Sequence, residues 1–379
     1  MREDLNPIWI DTARGVSDVV AAVVGVGQLA LDTEADSLHS YFHKVCLIQV
    51  TADDQNFVID PLAVVAEELR PLWECIEDPA VPVLMHGADY DIRVLDRDYQ
   101  VRVRGLVDTQ IMAQVLGEPK TGLAALLEQE LGVELDKRYQ RADWGRRPLT
   151  ASQVVYAAAD TAFLGLLSAR LQERLEKLDR WPWAVEEFRN LEEVRYRQIE
   201  ADPRDFERVK GVRALRGQAR DRAFSLFGWR DLEAQRLDVP PFKVLGNAAL
   251  VAMATSPPST VSRLACVEGL GPRFARRWGR EVLALLKKPE PAPARRRGRR
   301  DPDPSPVVAR RLKRLAIVRD RVAGELAIEP GLLCPRACAL AVASRHPRCT
   351  NRRHLAETGL EGWRLEVLGD HFLTALSEE

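Results

Sequence analysis

No apolar run in this 379-residue sequence is longer than residues 19–26, too short to cross a bilayer as a helix. The chain opens MREDLNPIWID, acidic and polar, so no cationic-apolar leader is expected. Cysteine is sparse: six residues, scattered rather than regularly spaced, exclude a disulfide-stapled scaffold and point to reduced thiols and a cytoplasmic protein. A dominant charge is also missing. The net value of −1 gives no global electrostatic signature of a nucleic-acid partner. What remains is ordinary globular material, 46% apolar and 29% charged, enough for two or three domains with ample core.

Against that background, carboxylates recur in three blocks. The first, VGVGQLALDTEA, reads as a strand that follows a glycine-containing turn and runs up to Asp32 and Glu34. These acids are two apart, so they share a face of the strand, about 7 Å from each other along it. Two such carboxylates on an apolar strand repel unless a cation lies between them, and a hard, oxygen-seeking divalent ion is the natural one. The second block, VPVLMHGADYDIRVL, reads as a short buried strand, a small-residue turn and a helix with Asp91 in its first turns, where the helix dipole favours an anion. In the third, Thr150 and Gln153 form a capping-box pair, so a helix is expected from about Ala151. Tyr156 and Asp160 then lie one turn apart on one face.

DTE, the aspartate of HGADYD and Y-x-x-x-D, in this order and spacing, resemble the three motifs of the DEDD 3'-5' exonucleases. The tyrosine places the resemblance in the branch that holds bacterial ribonuclease D and its nuclear-exosome relatives. VDTQIMA around Asp108 and LDKRYQRADWGRRPLT at 135–150 also look like ribonuclease D. The histidine branch would need its histidine at the position of Val155, so His86 is not expected to act as a base. Asp89 is off the motif, and Asp108 reads as a structural cap.

The resemblance implies a ribonuclease H-like α/β exonuclease domain, a mixed sheet flanked by helices, over 1–204. It implies two divalent cations, Mg²⁺ or Mn²⁺, on Asp32, Glu34, Asp91 and Asp160, with Tyr156 orienting the attacking water. The reaction would be metal-dependent release of nucleoside 5'-monophosphates from RNA 3' ends, with tRNA precursors as expected partners and no membrane. The same carboxylates also cleave DNA, and a non-catalytic RNA-binding scaffold is the third reading. The residue after Glu34 is Ala35, where the relatives often carry a bulky aromatic, so the fit of the last base is expected to differ.

The rest of the chain reads as two small all-α domains, 205–288 and 307–379, joined by a basic, proline-rich linker at 289–306. Between Lys287 and Arg314 there are eleven Lys or Arg against three acids. Arg295, Arg296, Arg297, Arg299 and Arg300 are the expected RNA-contacting group, since guanidinium groups suit phosphate. The segments from Arg230 and from Arg319 align at an offset of 89, an internal duplication. Both copies resemble the HRDC domain of ribonuclease D and RecQ-type helicases. Cys334, Cys338, Cys349 and His354 have zinc-like spacing, but the offset sets Cys334 and Cys338 opposite Leu245 and Ala249, so they are expected to be core thiols. Trp181 and Trp183 are expected to pack between the exonuclease core and the helical region.

Overall fold

The computed structural model describes residues 5–198, 202–295, 304–345 and 348–377. Strand β1 (Ile8–Ile10) leads into helix α1 (Ala13–Val26), which Thr12 opens by accepting the Gly15 amide and Gly27 closes in the left-handed region at φ 75°. Strands β2 (Leu29–Ala35), β3 (Val45–Ala52) and β4 (Gln55–Ile59) follow. Then come α2 (Arg70–Glu77), β5 (Val83–Met85), α3 (Asp89–Tyr99), β6 (Leu106–Asp108) and α4 (Thr109–Leu116). The six strands form one sheet in the order β1-β4-β3-β2-β5-β6. It is mixed: β3 and β4 are an antiparallel hairpin, whereas β1 on β4, β2 on β5 and β5 on β6 are parallel. Every residue of β3 is buried, as expected of a strand covered on both faces.

The valines before Gly27, read above as leading into the first strand, belong instead to α1. Helical spacing puts Val16, Val19 and Val23 on its buried face, and the strand starts only at Leu29. Helices α5 (Leu123–Leu131), α6 (Ala151–Ala162), α7 (Leu164–Lys177) and α8 (Trp181–Glu192) complete this part. Residues 151–177 are long and apolar enough, by length and composition, to cross a membrane. Here that apolarity serves packing: α6 lies on β3 and β4, and α7 on α4.

The helical remainder is a repeat. Helices α9 (Gly217–Leu237), α10 (Pro241–Val244), α11 (Asn247–Thr255), α12 (Val261–Ala265) and α13 (Pro272–Lys287) are followed by α14 (Pro306–Leu326), α15 (Pro330–Leu333), α16 (Arg336–Arg345), α17 (Arg352–Ala356) and α18 (Gly362–Ser377). The first three helices of each copy start 89 residues apart, and the last pair 90 apart. Even a buried contact repeats. Arg230 donates to the Leu245 carbonyl at 3.1 Å, and Arg319 donates to the Cys334 carbonyl at 3.3 Å. Cys334 and Cys349 are buried in the apolar core of the second copy, alongside Trp363 and Phe372.

The chain groups differently from its linear order. One compact unit holds 1–34, 45–196 and 300–379; the other holds 35–44 and 197–299. This grouping cuts across the linear order in two places. The second helical copy packs with the exonuclease domain. Trp183 of α8 stacks on Trp363 with centroids 4.7 Å apart, and Glu187 takes the Trp363 indole N–H at 2.8 Å. The loop 35–44 joins the first copy, where Asp238 accepts the amides of Tyr41 and Phe42, each at 3.0 Å, and the Tyr41 hydroxyl donates to Asp231.

The first residues of the 289–306 stretch run back along α9. Asp221 takes the Ala292 amide, and the Arg220 guanidinium donates to the Pro293 carbonyl. Arg295 is held too, donating to the carbonyls of Arg213 and Leu215 at 2.9 Å. Arg296, Arg297, Arg299 and Arg300 lie outside the described residues.

Candidate active site

Strand β2 alternates buried Leu31 and Thr33 with Asp32 and Glu34, so its period of two sends both acids to one side. Helix α6 supplies the opposing groups. Its Thr150 cap accepts the Gln153 amide while the Gln153 side chain reaches back to Thr150, the expected capping box. Alanines 157–159, all buried, let the helix lie close on the sheet. The hydroxyls of Thr161 and Thr51 meet at 2.8 Å and pin it to β3. In that position a carboxylate oxygen from each of Asp32, Glu34 and Asp160 lies within 4.8 Å of the others, the single cluster of this kind among the described residues.

Asp91 comes from the first turn of α3 and is buried. Its oxygen accepts the Thr33 hydroxyl at 2.5 Å, which ties α3 to the middle of the DTE motif. The turn before α3 is held by Asp108, which accepts the amides of Gly87 and Ala88 and also caps α4 through Gln110 and Ile111. Asp108 is therefore structural, as its sequence context suggests. Asp89 is likewise outside the site, paired with Arg93 one turn along α3. The His86 ring faces the Thr109 hydroxyl at 2.9 Å.

The electrostatics of the cluster follow from four acids in a space with little water. Burial, then the charges of Asp91, Asp160 and Glu34, push the Asp32 carboxyl well above the carboxylate range. Burial followed by Asp160 and Asp91 does the same to Glu34. Burial lifts Asp91 to about 6 and Asp160 to about 7. Hard oxygen donors that resist ionising together are the donor set a divalent cation relieves, so the residues fit such an ion.

Tyr156 has its phenol pushed up by burial and by Asp160, Glu34 and Asp32, so its hydroxyl stays protonated and available as a donor. Two residues that carried no role in the sequence reading hold its ring. Tyr139 meets it edge-on at 5.6 Å between centroids, and Trp144 lies nearly parallel to it at 6.0 Å. Arg147 fixes the Trp144 segment, gripping Asp60 with two nitrogens at 2.6 and 2.7 Å and donating to the Trp144 carbonyl. The stretch 135–150 was noticed by resemblance, but nothing in its spacing singled out the two aromatics. A cavity of about 440 Å³ opens beside this group, lined by Asp136, Arg138, Ser152, Tyr156 and Asp160 among others.

Comparison with known proteins shows what the chain is similar to. Residues 7–176 match the family described as 3'-5' exonuclease, and residues 220–286 match the HRDC domain. Ribonuclease D of Gluconacetobacter diazotrophicus is 30% identical, over 71% of this chain and 68% of that protein. The exosome complex exonuclease RRP6 of Saccharomyces cerevisiae is 31% identical over 68% of this chain, which spans only 37% of that longer protein. The solved structure of Escherichia coli RNase D, described as an exoribonuclease involved in structured RNA processing, superposes with a TM-score of 0.65 at 27% identity, covering 98% of this chain and 99% of that one.

Proposed function

The chain belongs to the ribonuclease D family of 3'-5' exoribonucleases, and from that premise we propose that it shortens structured RNA precursors, tRNA 3' ends among them, one nucleoside 5'-monophosphate at a time. The observation that carries the proposal is the convergence of Asp32, Glu34 and Asp160 within 4.8 Å, with Tyr156 one helical turn from Asp160.

Asp32, Glu34 and Asp160 would hold one divalent ion, and Asp32 with Asp91 would serve a second, Mg²⁺ being the expected species. When bound, such ions lower the pKa of water and neutralise charge developing on the phosphate. The protein's own contributions are positional. The Tyr156 hydroxyl donates a hydrogen bond that orients the attacking water, and the ring contacts with Tyr139 and Trp144 keep it from swinging away. The cavity beside Tyr156 is where the terminal nucleoside would lie. The reaction would take place in the cytoplasm.

A time course on a tRNA-like RNA with a 3' overhang and on its DNA counterpart, each labelled at the 5' end, tests this reading. The expected result is an RNA ladder shortening from the 3' end with Mg²⁺, absent with chelator and absent in Asp32→Ala. A ladder on DNA alone would reassign the substrate, and none on either would leave an RNA-binding scaffold.

A further inference from the structure

An arginine in the segment that walls a phosphodiesterase site is the type of residue that meets phosphate. Arg147 has no donor to spare for one. A guanidinium carries five N–H groups, and each is taken here. Nε and Nη2 donate to Asp60 at 2.6 and 2.7 Å, and Nη2 also donates to the Cys46 carbonyl at 2.8 Å. Nη1 donates to the carbonyls of Trp144 at 2.7 Å and Arg146 at 2.9 Å. The group also lies over the Trp9 ring, 5.7 Å from its centroid.

Its partner Asp60 is fixed in turn. Asp60 follows β4 directly, and its side chain is only 6% exposed. It accepts the Leu62 amide at 3.0 Å, and its own amide donates to the Ile10 carbonyl of β1 at 2.7 Å. One guanidinium thereby ties β3, through Cys46, and the end of β4 to the 135–150 segment.

What hangs from that anchor is a ring. Trp144 is buried among Leu47, Ala157 and Ala158 and lies nearly parallel to Tyr156. Its indole N–H has no hydrogen-bond partner among the described residues. Packing and the carbonyl held by Arg147 are therefore what place it. The Tyr156 hydroxyl is the far atom of the next ring, so a tilt at Trp144 moves the hydroxyl more than any other part of that side chain.

We infer that Asp60 and Arg147 are positioning residues of the hydrolysis: they set Trp144, and through it the aim of the Tyr156 hydroxyl at the attacking water. The inference deepens the reading of the chain as an exoribonuclease and rests on it. Neither residue meets substrate, so both act on the chemical step rather than on RNA binding.

The test is steady-state shortening of the 3'-overhanging RNA with Mg²⁺ by the full chain, with kcat and KM separated. Arg147→Lys keeps the charge but offers three donors in place of five. Asp60→Asn keeps the shape and removes the charge. Each is expected to lower kcat about tenfold with KM close to the parent's, the cost of a misaimed group. Combined with Tyr156→Phe, whose own loss is about a hundredfold, neither should slow the enzyme further, because the hydroxyl they aim is already gone. Independent effects would instead multiply to about a thousandfold. Arg174→Lys, which loosens a clamp on Glu118 and Glu130 elsewhere in the domain, is expected to lower the melting temperature with kcat like the parent's.

Should Arg147→Lys and Asp60→Asn melt too early to assay, Trp144→Phe decides. It leaves the carbonyl and the Arg147 bonds in place, and it should lower kcat about tenfold, again without adding to Tyr156→Phe. Multiplying losses, an effect on KM alone, a parent-like kcat, or an equal fall of kcat in Arg174→Lys would each overturn the inference. Failure of the exoribonuclease reading would show separately and first, as a parent chain that leaves the RNA intact.

Discussion

The Thr33 hydroxyl donates to the Asp91 carboxylate at 2.5 Å, so the residue between the two acids of the DTE motif binds the third acid of the site. The outer residues of the motif face the cluster, and the middle one orients its partner helix. Thr33→Val keeps the shape and removes the donor. A buried carboxylate deprived of a hydrogen bond costs about 1–3 kcal/mol. Urea unfolding should show a loss of that size, and because this bond favours the ionised form of Asp91, the acidic limb of the activity profile should move to higher pH.

Asp32→Ala should lower the rate of RNA shortening by a thousandfold or more, about 4 kcal/mol of barrier. Metal-dependent stability should be lost with it. The parent is expected to melt at higher temperature with added Mg²⁺ or Mn²⁺, through binding to the folded state alone, whereas Asp32→Ala should not shift. A parent whose melting ignores both ions would remove the metal cluster from the account.

The acids of the site also set how stability varies with pH. Asp91 at about 6 and Asp160 at about 7 hold protons in the folded state that the unfolded chain releases near 4. The native state therefore binds more protons across this window. The stability they contribute is complete below about pH 4 and is lost as pH rises through about 7. Metal-free protein should melt at lower temperature at pH 7.5 than at pH 5.5. Asp160→Asn should flatten that slope, and the stabilisation by Mg²⁺ should grow with pH because the ion competes with protons.

Tyr156→Phe keeps the ring between Tyr139 and Trp144 and removes only the hydroxyl. Melting temperature should stay within a degree or two of the parent, while kcat falls on the order of a hundredfold. A kcat equal to the parent's would mean that the ring, rather than the hydroxyl, is what matters.

Gly117, with φ 86°, sits where an added Cβ would overlap the Ala327 carbonyl of the second helical copy. Backbone on both sides leaves little room to adjust. Gly117→Ala should loosen the docking of 306–377, seen as faster limited proteolysis after residue 288 and a change in tryptophan fluorescence as Trp363 leaves Trp183. Unchanged proteolysis and fluorescence would show that the contact is dispensable.

The parts of the site legible in the sequence were those fixed by local periodicity. Asp32 and Glu34 share a face because a strand alternates, and Tyr156 and Asp160 share one because the Thr150 capping box sets where α6 begins. The repeat was legible because its offset is nearly constant. Contacts made across the fold left no such trace. Nothing near Trp144 in the sequence points to Tyr156, since the link runs through Arg147 to Asp60 on the end of a distant strand. Nor does a helical repeat say which copy will dock. That depended on single substitutions at one face, Trp363 against Arg273 and Leu332 against Lys243, whose meaning appears only once Trp183 is seen stacked on Trp363.

The stack of Trp183 on Trp363 separates order along the chain from order of unfolding. Residues 300–379 share a compact unit with the N-terminal residues, and the segment between them, 197–299, has its own core. Cooperativity follows shared burial rather than sequence neighbourhood. On heating or in denaturant, the last helices should lose structure together with the first strands, in one transition, while the middle of the chain follows its own. Residues 300–379 thereby act as a clasp, so the catalytic fold is complete only once that segment has docked.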